Sequence, residues 1–489
     1  MKRLLLAVFA AGVGLILAAA AGAAPLTPPI LASPGPSPFI GCTADNAATQ
    51  IADGSTLYPN SEIEPRSAIN PTNSQNIVGF YQQDRWDDGG ARGLVASVTK
   101  DGGVTWQRVV VPGLTRCSQG NYDRASDPWL SFAPNGDLYA ISLSFDFFDT
   151  HNAIIVVKST DGGVNWGPPL EVTADNTNGL DKESITADPS NKNVVYATWD
   201  RLLSPGGSTH ASDQGRLHAK SFKSQTFFSK TVDGGKTWSK PIQIYTDSSF
   251  TGSIGGIIRV LPDGTLLDGL VTYGNAAWKG GKCASESVLR STDGGASWSK
   301  KPTIVSPLTC TYTGAHVPST GDQVRSGGLI DIANDGNNVY VVWEDGTASE
   351  PTTGHILFSQ STDGGVTWSS PTVISKTPSG IDAFIPTIAV NSAHVLGVTY
   401  YDFREHTPAA EATTDVWLVR CSSSCTSASS WSETQVGGPF DLEQAPNAGG
   451  LFVGDYEGMT TSGTTFQPFF IQAVSAPANP TDAFFTTAP

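Results

Sequence analysis

The sequence predicts an all-β fold, a β-propeller of four-stranded antiparallel blades, and three observations carry that prediction. One turn recurs five times, a strand–turn–strand pattern fills the intervals between its copies, and no long segment shows the 3.6-residue apolar period of a helix. Composition agrees: 52 Gly, 32 Pro and 12 Trp against 2 Met in 489 residues suit many turns joining short, aromatic-rich strands.

The turn reads Thr99-Lys-Asp-Gly-Gly-Val-Thr-Trp106 and returns at Ser159–Trp166, Thr231–Trp238, Ser291–Trp298 and Ser361–Trp368. Its chemistry is local. The Asp carboxylate accepts backbone N–H groups, the glycines permit positive φ, and the Trp packs under the hairpin. These five aspartates therefore read as scaffold. Between the turns, strands end in an aromatic residue and an acid, as at Trp199-Asp200, Trp343-Glu344 and Tyr401-Asp402. Two such strands and two around the turn make one sheet, and repetition of the sheet makes a propeller.

Units start near Glu64, Asp127, Glu183, Gly255, Ser326, Phe384 and Asp455, a count of seven blades. Six is the alternative, if the last segment only completes another blade. The sixth unit lacks the Asp turn, yet Trp431 falls where its Trp belongs, and Cys421 with Cys425 can staple the turn instead. Residues 43–59 are expected to supply the outer strand that closes the ring. The propeller domain then spans 43–489, behind a Pro-rich, disordered lead at 25–42.

The first 24 residues have the three-part pattern of a secretory signal: Lys2 and Arg3, the apolar run Leu4 to Ala21, then small residues before Pro25. A retained anchor is the alternative, on a run near the ~20-residue minimum for crossing a bilayer. A secreted protein without membrane insertion, and a monomer, is expected. Acidic residues outnumber basic ones by 45 to 29, a formal charge of -16, which argues against a nucleic-acid partner. An exported chain can oxidise its six cysteines. Neighbours in the repeat suggest Cys42 with Cys117, Cys283 with Cys310, and Cys421 with Cys425, although fifteen pairings are open. No spacing suits a structural zinc, and no organic cofactor is suggested. Structural calcium remains open in the acidic loops, without an EF-hand spacing.

A propeller binds ligands at the mouth of its central channel, built by loops entering the inner strands and loops joining second and third strands. The five Asp turns join third and fourth strands, on the opposite face. Candidates at inner-strand starts are Glu64, Arg66, Asp127, Lys182, Glu183, Arg325, Asp455, Tyr456 and Glu457. The other upper loops add Asp84, Arg85, Asp87, Asp88, Asp200, Arg201, Glu344, Asp345, Asp402 and Arg404.

The five turns resemble the Asp boxes of the sialidase (BNR-repeat) superfamily. Glu64-Pro-Arg66-Ser-Ala-Ile69, followed by Asp87-Asp88-Gly-Gly and the first turn at Asp101, is similar to the start of a sialidase domain. The resemblance implies a retaining exo-glycosidase that removes a terminal acidic sugar, sialic acid, from a glycan or glycoconjugate. Such enzymes hold the sugar carboxylate with three arginines, use a Tyr–Glu pair as nucleophile and an Asp as acid/base. Carried onto this chain, Arg66 matches the first arginine, and Arg259 and Arg325 are the remaining two. Asp88 matches the acid/base, with Asp87 its rival, and Tyr456 in Gly454-Asp-Tyr-Glu-Gly458 matches the nucleophile with Glu183 as partner.

Arg259 lies inside an inner strand in register with Asp331, so a structural pair competes with ligand contact. Two other functions stay open. One is an enzyme on another glycan, with a carboxylate pair drawn from Asp88, Glu183, Asp402 or Glu457. The other is a non-catalytic propeller that binds a glycan or a protein, which predicts no convergence of arginines.

Overall fold

The computed structural model describes residues 28–203, 223–246, 251–274, 284–407, 412–476 and 478–489; the expected signal at 1–24 lies outside them. Five four-stranded antiparallel sheets and one eight-stranded sheet hold the strands. The eight-stranded sheet is two four-stranded units, residues 57–110 and 124–175, joined through one residue pair, Ala91 with Ala125.

The inner strands of the seven units are Leu57–Ile69, Arg124–Phe132, Gly179–Ala187, Thr251–Val260, Ile330–Asp335, Ala383–Val390 and Gly458–Ser462. Each packs against the inner strand of the next unit, and the last packs against the first, so they ring one axis. Strands deep in the ring are covered on both faces: all ten residues of Ile77–Trp86 are buried, as layered packing of sheets requires. Among the described residues no helix is long and apolar enough to cross a membrane.

The repeated turns close on themselves as their sequence dictates. In the fifth, Asp363 Oδ1 accepts Val366 N at 3.1 Å and Thr367 N at 2.9 Å, while Ser361 Oγ accepts Gly365 N at 2.8 Å. The second glycine of each turn leans on the preceding unit: a Cβ on Gly295 would lie 2.4 Å from the Phe228 ring, and one on Gly103 would lie 2.1 Å from Phe485. In the sixth unit the Cys421–Cys425 disulfide takes the place of the Asp turn, and Trp431 Nε1 donates to Cys425 O at 2.9 Å. Cys42 pairs with Cys117. Cys310 is disulfide-bonded too, and its expected partner Cys283 lies outside the described residues.

Ring closure differs from the expectation. Residues 43–59 do not supply the outer strand; they form the helix Ala47–Ala52 and then enter the first inner strand at Leu57. Ala-Ala-Thr-Gln-Ile-Ala is a better helix than strand. The outer strand is Ile30–Leu31, from the segment expected to be a disordered lead, and it pairs antiparallel with Phe484 and Phe485. Ala32 and Phe39 are buried, so the packed structure begins before residue 43. Pro28 and Pro29 are tolerated there because the strand is an edge.

Candidate functional site at the channel mouth

Five inner strands carry the same irregularity. Their registers shift at Ile63/Arg66, Ser126/Trp129, Asp181/Ser184, Ile254/Ile257 and Phe384/Thr387. At each bulge one residue takes positive φ: Glu64 at 53°, Asp127 at 51°, Lys182 at 47°, Gly255 at 77° and Ile385 at 52°. A bulge re-aims side chains, and here it directs them at the axis. The next residue is Pro65, Pro128, Glu183, Gly256 and Pro386 in turn. Glu183 is thus a carboxylic acid where three other units place proline.

The bulge residues meet on one ammonium. Lys182 Nζ lies 2.6 Å from Asp127 Oδ1, 2.6 Å from Asp455 Oδ2 and 3.4 Å from Glu64 Oε1. Burial alone would lower the Lys182 pKa, but Asp127, Asp455 and Glu64 hold it well above its usual value. Burial likewise works to raise Asp455, yet Arg325 and Lys182 keep that carboxylate far below the usual range. Glu64 goes the other way, pushed up by burial against the pull of Lys182.

Adjoining this cluster, with Lys182 and Asp455 in its wall, lies a small cavity of about 30 Å³ lined by Arg66, Trp129, Glu183, Asp331, Glu344 and Tyr456 among others. Arg66 Cζ stacks 3.6 Å from the Trp129 ring centroid and 5.4 Å from that of Tyr456. Glu183 is 2% exposed, and neither of its carboxylate oxygens has a hydrogen-bond partner. Burial, then the charge of Asp127, pushes its pKa well above the carboxylate range. The Tyr456 hydroxyl also lacks a partner, and burial followed by Glu64, Asp127 and Glu183 raises its pKa well above the phenol value. Glu344, also in the lining, accepts from the Tyr312 hydroxyl, from Ser326 Oγ at 2.8 Å and from Ile385 N at 3.0 Å.

Of the expected residues, Arg66, Glu183 and Tyr456 share this cavity. The Tyr–Glu pair is not hydrogen-bonded, since both side chains lack partners. The three arginines do not converge on one ligand position. Arg66 Nη2 is 3.2 Å from Asp331 Oδ1, and Arg259 Nη2 is 3.9 Å from the same oxygen, with Arg259 Nε donating to Ile332 O at 2.5 Å. Burial works to raise Asp331, but those two guanidiniums hold it below the usual range. Arg325 instead pairs with Asp455 at 3.1 Å and lies 4.3 Å over the Phe452 ring.

Asp88 lines a wider, adjoining cup that shares Lys182 and Asp455 with the cavity, and its oxygens accept from Arg124 Nη1 at 2.6 Å and Ser55 Oγ at 2.7 Å. Its rival Asp87 accepts Thr56 N at 2.8 Å. Neither lines the cavity of Tyr456. Two groups of potential metal-ligating side chains, Cys42/Asp45/Cys117 and Asp146/Asp149/His151, also lie away from it, and the first contains a disulfide.

Sequence reasoning missed Trp129 and Tyr312. Trp129 stands two residues past its bulge, as Arg66 does past its own, so alignment of Glu64-Pro-Arg66 with Asp127-Pro-Trp129 would have found it. Tyr312 sits in a long connection between units and carries no repeat signal.

No protein-family model and no curated protein matches the chain. Solved structures similar to it include a Hadza microbial sialidase, at TM-score 0.48 and 14% identity over 84% of this chain and 76% of that one. A second is an alpha-L-arabinanase of Penicillium chrysogenum complexed with arabinobiose, at TM-score 0.45 and 10% identity over 95% and 98%. A third is the Trypanosoma rangeli sialidase in complex with sialic acid, at TM-score 0.40 and 11% identity over 78% and 55%. At these values the likeness carries no residue role to this chain.

Proposed function

We propose that the chain is a secreted glycoside hydrolase whose reaction centre is the cavity at the channel mouth, with Glu183 as proton donor and an uncharged sugar as the recognised unit. One observation carries this reading: Glu183 is a buried carboxyl lining the cavity, without a cation or side-chain partner, and burial pushes its pKa well above the carboxylate range, in a position three other units give to proline. A carboxylic acid kept neutral at neutral pH is what protonation of a leaving glycosidic oxygen needs. Trp129 and Tyr456 give the cavity an aromatic wall, with Arg66 stacked on Trp129. The amino-terminal leader pattern and the disulfides fit an oxidising, extracellular setting.

The preference for an uncharged sugar follows from Asp331 and Asp455. Each arginine that a sugar carboxylate would need already has a buried carboxylate partner, and separating such a pair costs several kcal/mol, about 3–5 by measured precedents. The acidic-sugar reading keeps a foothold in the shared cavity of Arg66 and Tyr456, so one assay covers both.

Purified chain is incubated with a panel of neutral aryl glycosides and a fluorogenic sialoside, beside Glu183→Gln, Tyr456→Phe and Arg66→Ala. Turnover of a neutral glycoside is expected, with a loss of about 10²–10⁴ in Glu183→Gln. That loss should shrink for a dinitrophenyl leaving group, which needs little protonation. Sialoside turnover abolished in Tyr456→Phe and Arg66→Ala would replace the uncharged sugar by an acidic one. A folded wild type inert on every glycoside would sink the hydrolase reading.

A further inference from the structure

Hydrolysis with one acid leaves a second task, removal of a proton from the attacking water. Besides Glu183, the carboxyls lining the cavity are Asp331, Asp455 and Glu344. Asp331 is committed to Arg66 and Arg259, and Asp455 to Lys182 and Arg325. Glu344 is different. It is the penultimate residue of the strand Asn338–Asp345, and its partners are neutral donors: the hydroxyls of Tyr312 and Ser326 and the amide of Ile385. Neutral donors orient a carboxylate without the full quenching of its basicity that an ion pair brings.

The surroundings are built around that carboxylate. Ile385, a β-branched residue at φ 52°, is a genuine backbone outlier, and its N–H points at Glu344 Oε2. Tyr312 and Ser326 both come from the connection between Pro307 and Ile330, whose Gly327 and Leu329 line the cavity. Gly327, in the same connection, brings bare backbone close: a Cβ there would lie 3.6 Å from Glu344 Oε1.

We propose that Glu344 is the general base of the reaction, in the wall of the cavity that Glu183 also lines, and that Tyr312 and Ser326 are its positioning residues. The assignment rests on the hydrolase reading. In the step, the glycosidic C–O bond breaks as Glu183 gives its proton to the leaving oxygen. The oxygen of one water forms the new bond to the anomeric carbon, and Glu344 takes that water's proton. Solvent then returns a proton from Glu344 to Glu183. A single displacement of this kind inverts the anomeric centre.

Burial lifts Glu344 to about 7 against the hydrogen bonds from Tyr312, Ile385 and Ser326, and the charge of Asp382 at the head of the neighbouring strand adds to the rise. The other charged or titratable side chains lining the cavity are Glu183, Asp331, Asp455, Arg66, Lys182 and Tyr456. Activity should therefore rise with pH through an acid limb near 7, as Glu344 ionises. Loss of the Tyr312 hydroxyl removes a bond to the carboxylate and moves that limb upward.

The test compares wild type, Glu344→Gln and Tyr312→Phe on the neutral glycoside that wild type turns over, with thermal melts to establish folding. Three readouts are taken: kcat, its pH profile, and the first-formed anomer by proton NMR. Expected are a loss of about 100-fold or more in Glu344→Gln, an alkaline shift of the acid limb in Tyr312→Phe, and an inverted product. Glu344→Ala should regain turnover with added azide and yield a glycosyl azide. Full activity in Glu344→Gln, or a retained first anomer, overturns this assignment and leaves the hydrolase reading standing. A wild type inert on all glycosides overturns both.

Discussion

Lys182 shows how far one side chain can organise this site. Asp127, Asp455 and Glu64 come from different units, and the ammonium is the cation on which they meet. Lys182→Met should cost about 3–5 kcal/mol in chemical denaturation, because it leaves buried carboxylates without their cation. Two other buried acids, Asp268 and Glu457, form no ion pair among the described residues. Burial lifts Asp268 to about 7 against a hydrogen bond from Thr198, and lifts Glu457 to about 8 against bonds from Tyr401 and Thr399. Their folded values lie above unfolded values of about 4, so the folded chain holds extra protons between those limits. That stability is full below about pH 4 and is lost as pH rises through about 7 and 8. The melting temperature should accordingly fall from pH 5 to pH 8, and Asp268→Asn should flatten the fall; an unchanged slope in that variant would refute the assignment. At this scale the sequence revealed Arg66, Glu183 and Tyr456 through their place at inner-strand starts. It concealed what they touch, since Asp331 lies 265 residues from Arg66.

Each repeated turn works through two devices, one local and one not. The Asp and Ser hydrogen bonds close the hairpin within a few residues, which is why the turns could be recognised from sequence. The second glycine acts across units. Gly295→Ala must fit a Cβ 2.4 Å from the Phe228 ring at φ 85°, whereas Gly264→Ala, at φ 82°, meets nothing within 4 Å. The first should lower stability by about 1–3 kcal/mol more than the second, read from urea midpoints of the two variants. Equal costs would mean that backbone strain, not packing on the preceding sheet, fixes glycine there. The two-residue strand Ile30–Leu31 shows the opposite limit. It has no alternation to read, and only the partner Phe484-Phe485 makes it a strand.

The whole ring is closed by its two ends, the amino-terminal strand lying outermost on the sheet that the carboxy-terminal strands begin. The Cys42–Cys117 disulfide spans 75 residues and fastens the segment behind that strand to the connection between the first two units. Its removal by Cys42→Ser with Cys117→Ser should cost about 2–4 kcal/mol. The Cys421–Cys425 bridge spans 4 residues and should cost far less when removed in the same way, because closing so short a loop restrains little of the unfolded chain. Denaturant titrations of the two double variants check the ranking. The seven units were legible because the repeat is periodic; the closure was not, because it joins segments more than 450 residues apart that share no motif. The recurrent bulge has a consequence for how such a protein can change over generations. Backbone geometry at that depth is already the same in five units, while the residue that follows is Pro, Pro, Glu, Gly and Pro. New chemistry can therefore be tried at one address by a single codon change, with the architecture held constant by the other addresses.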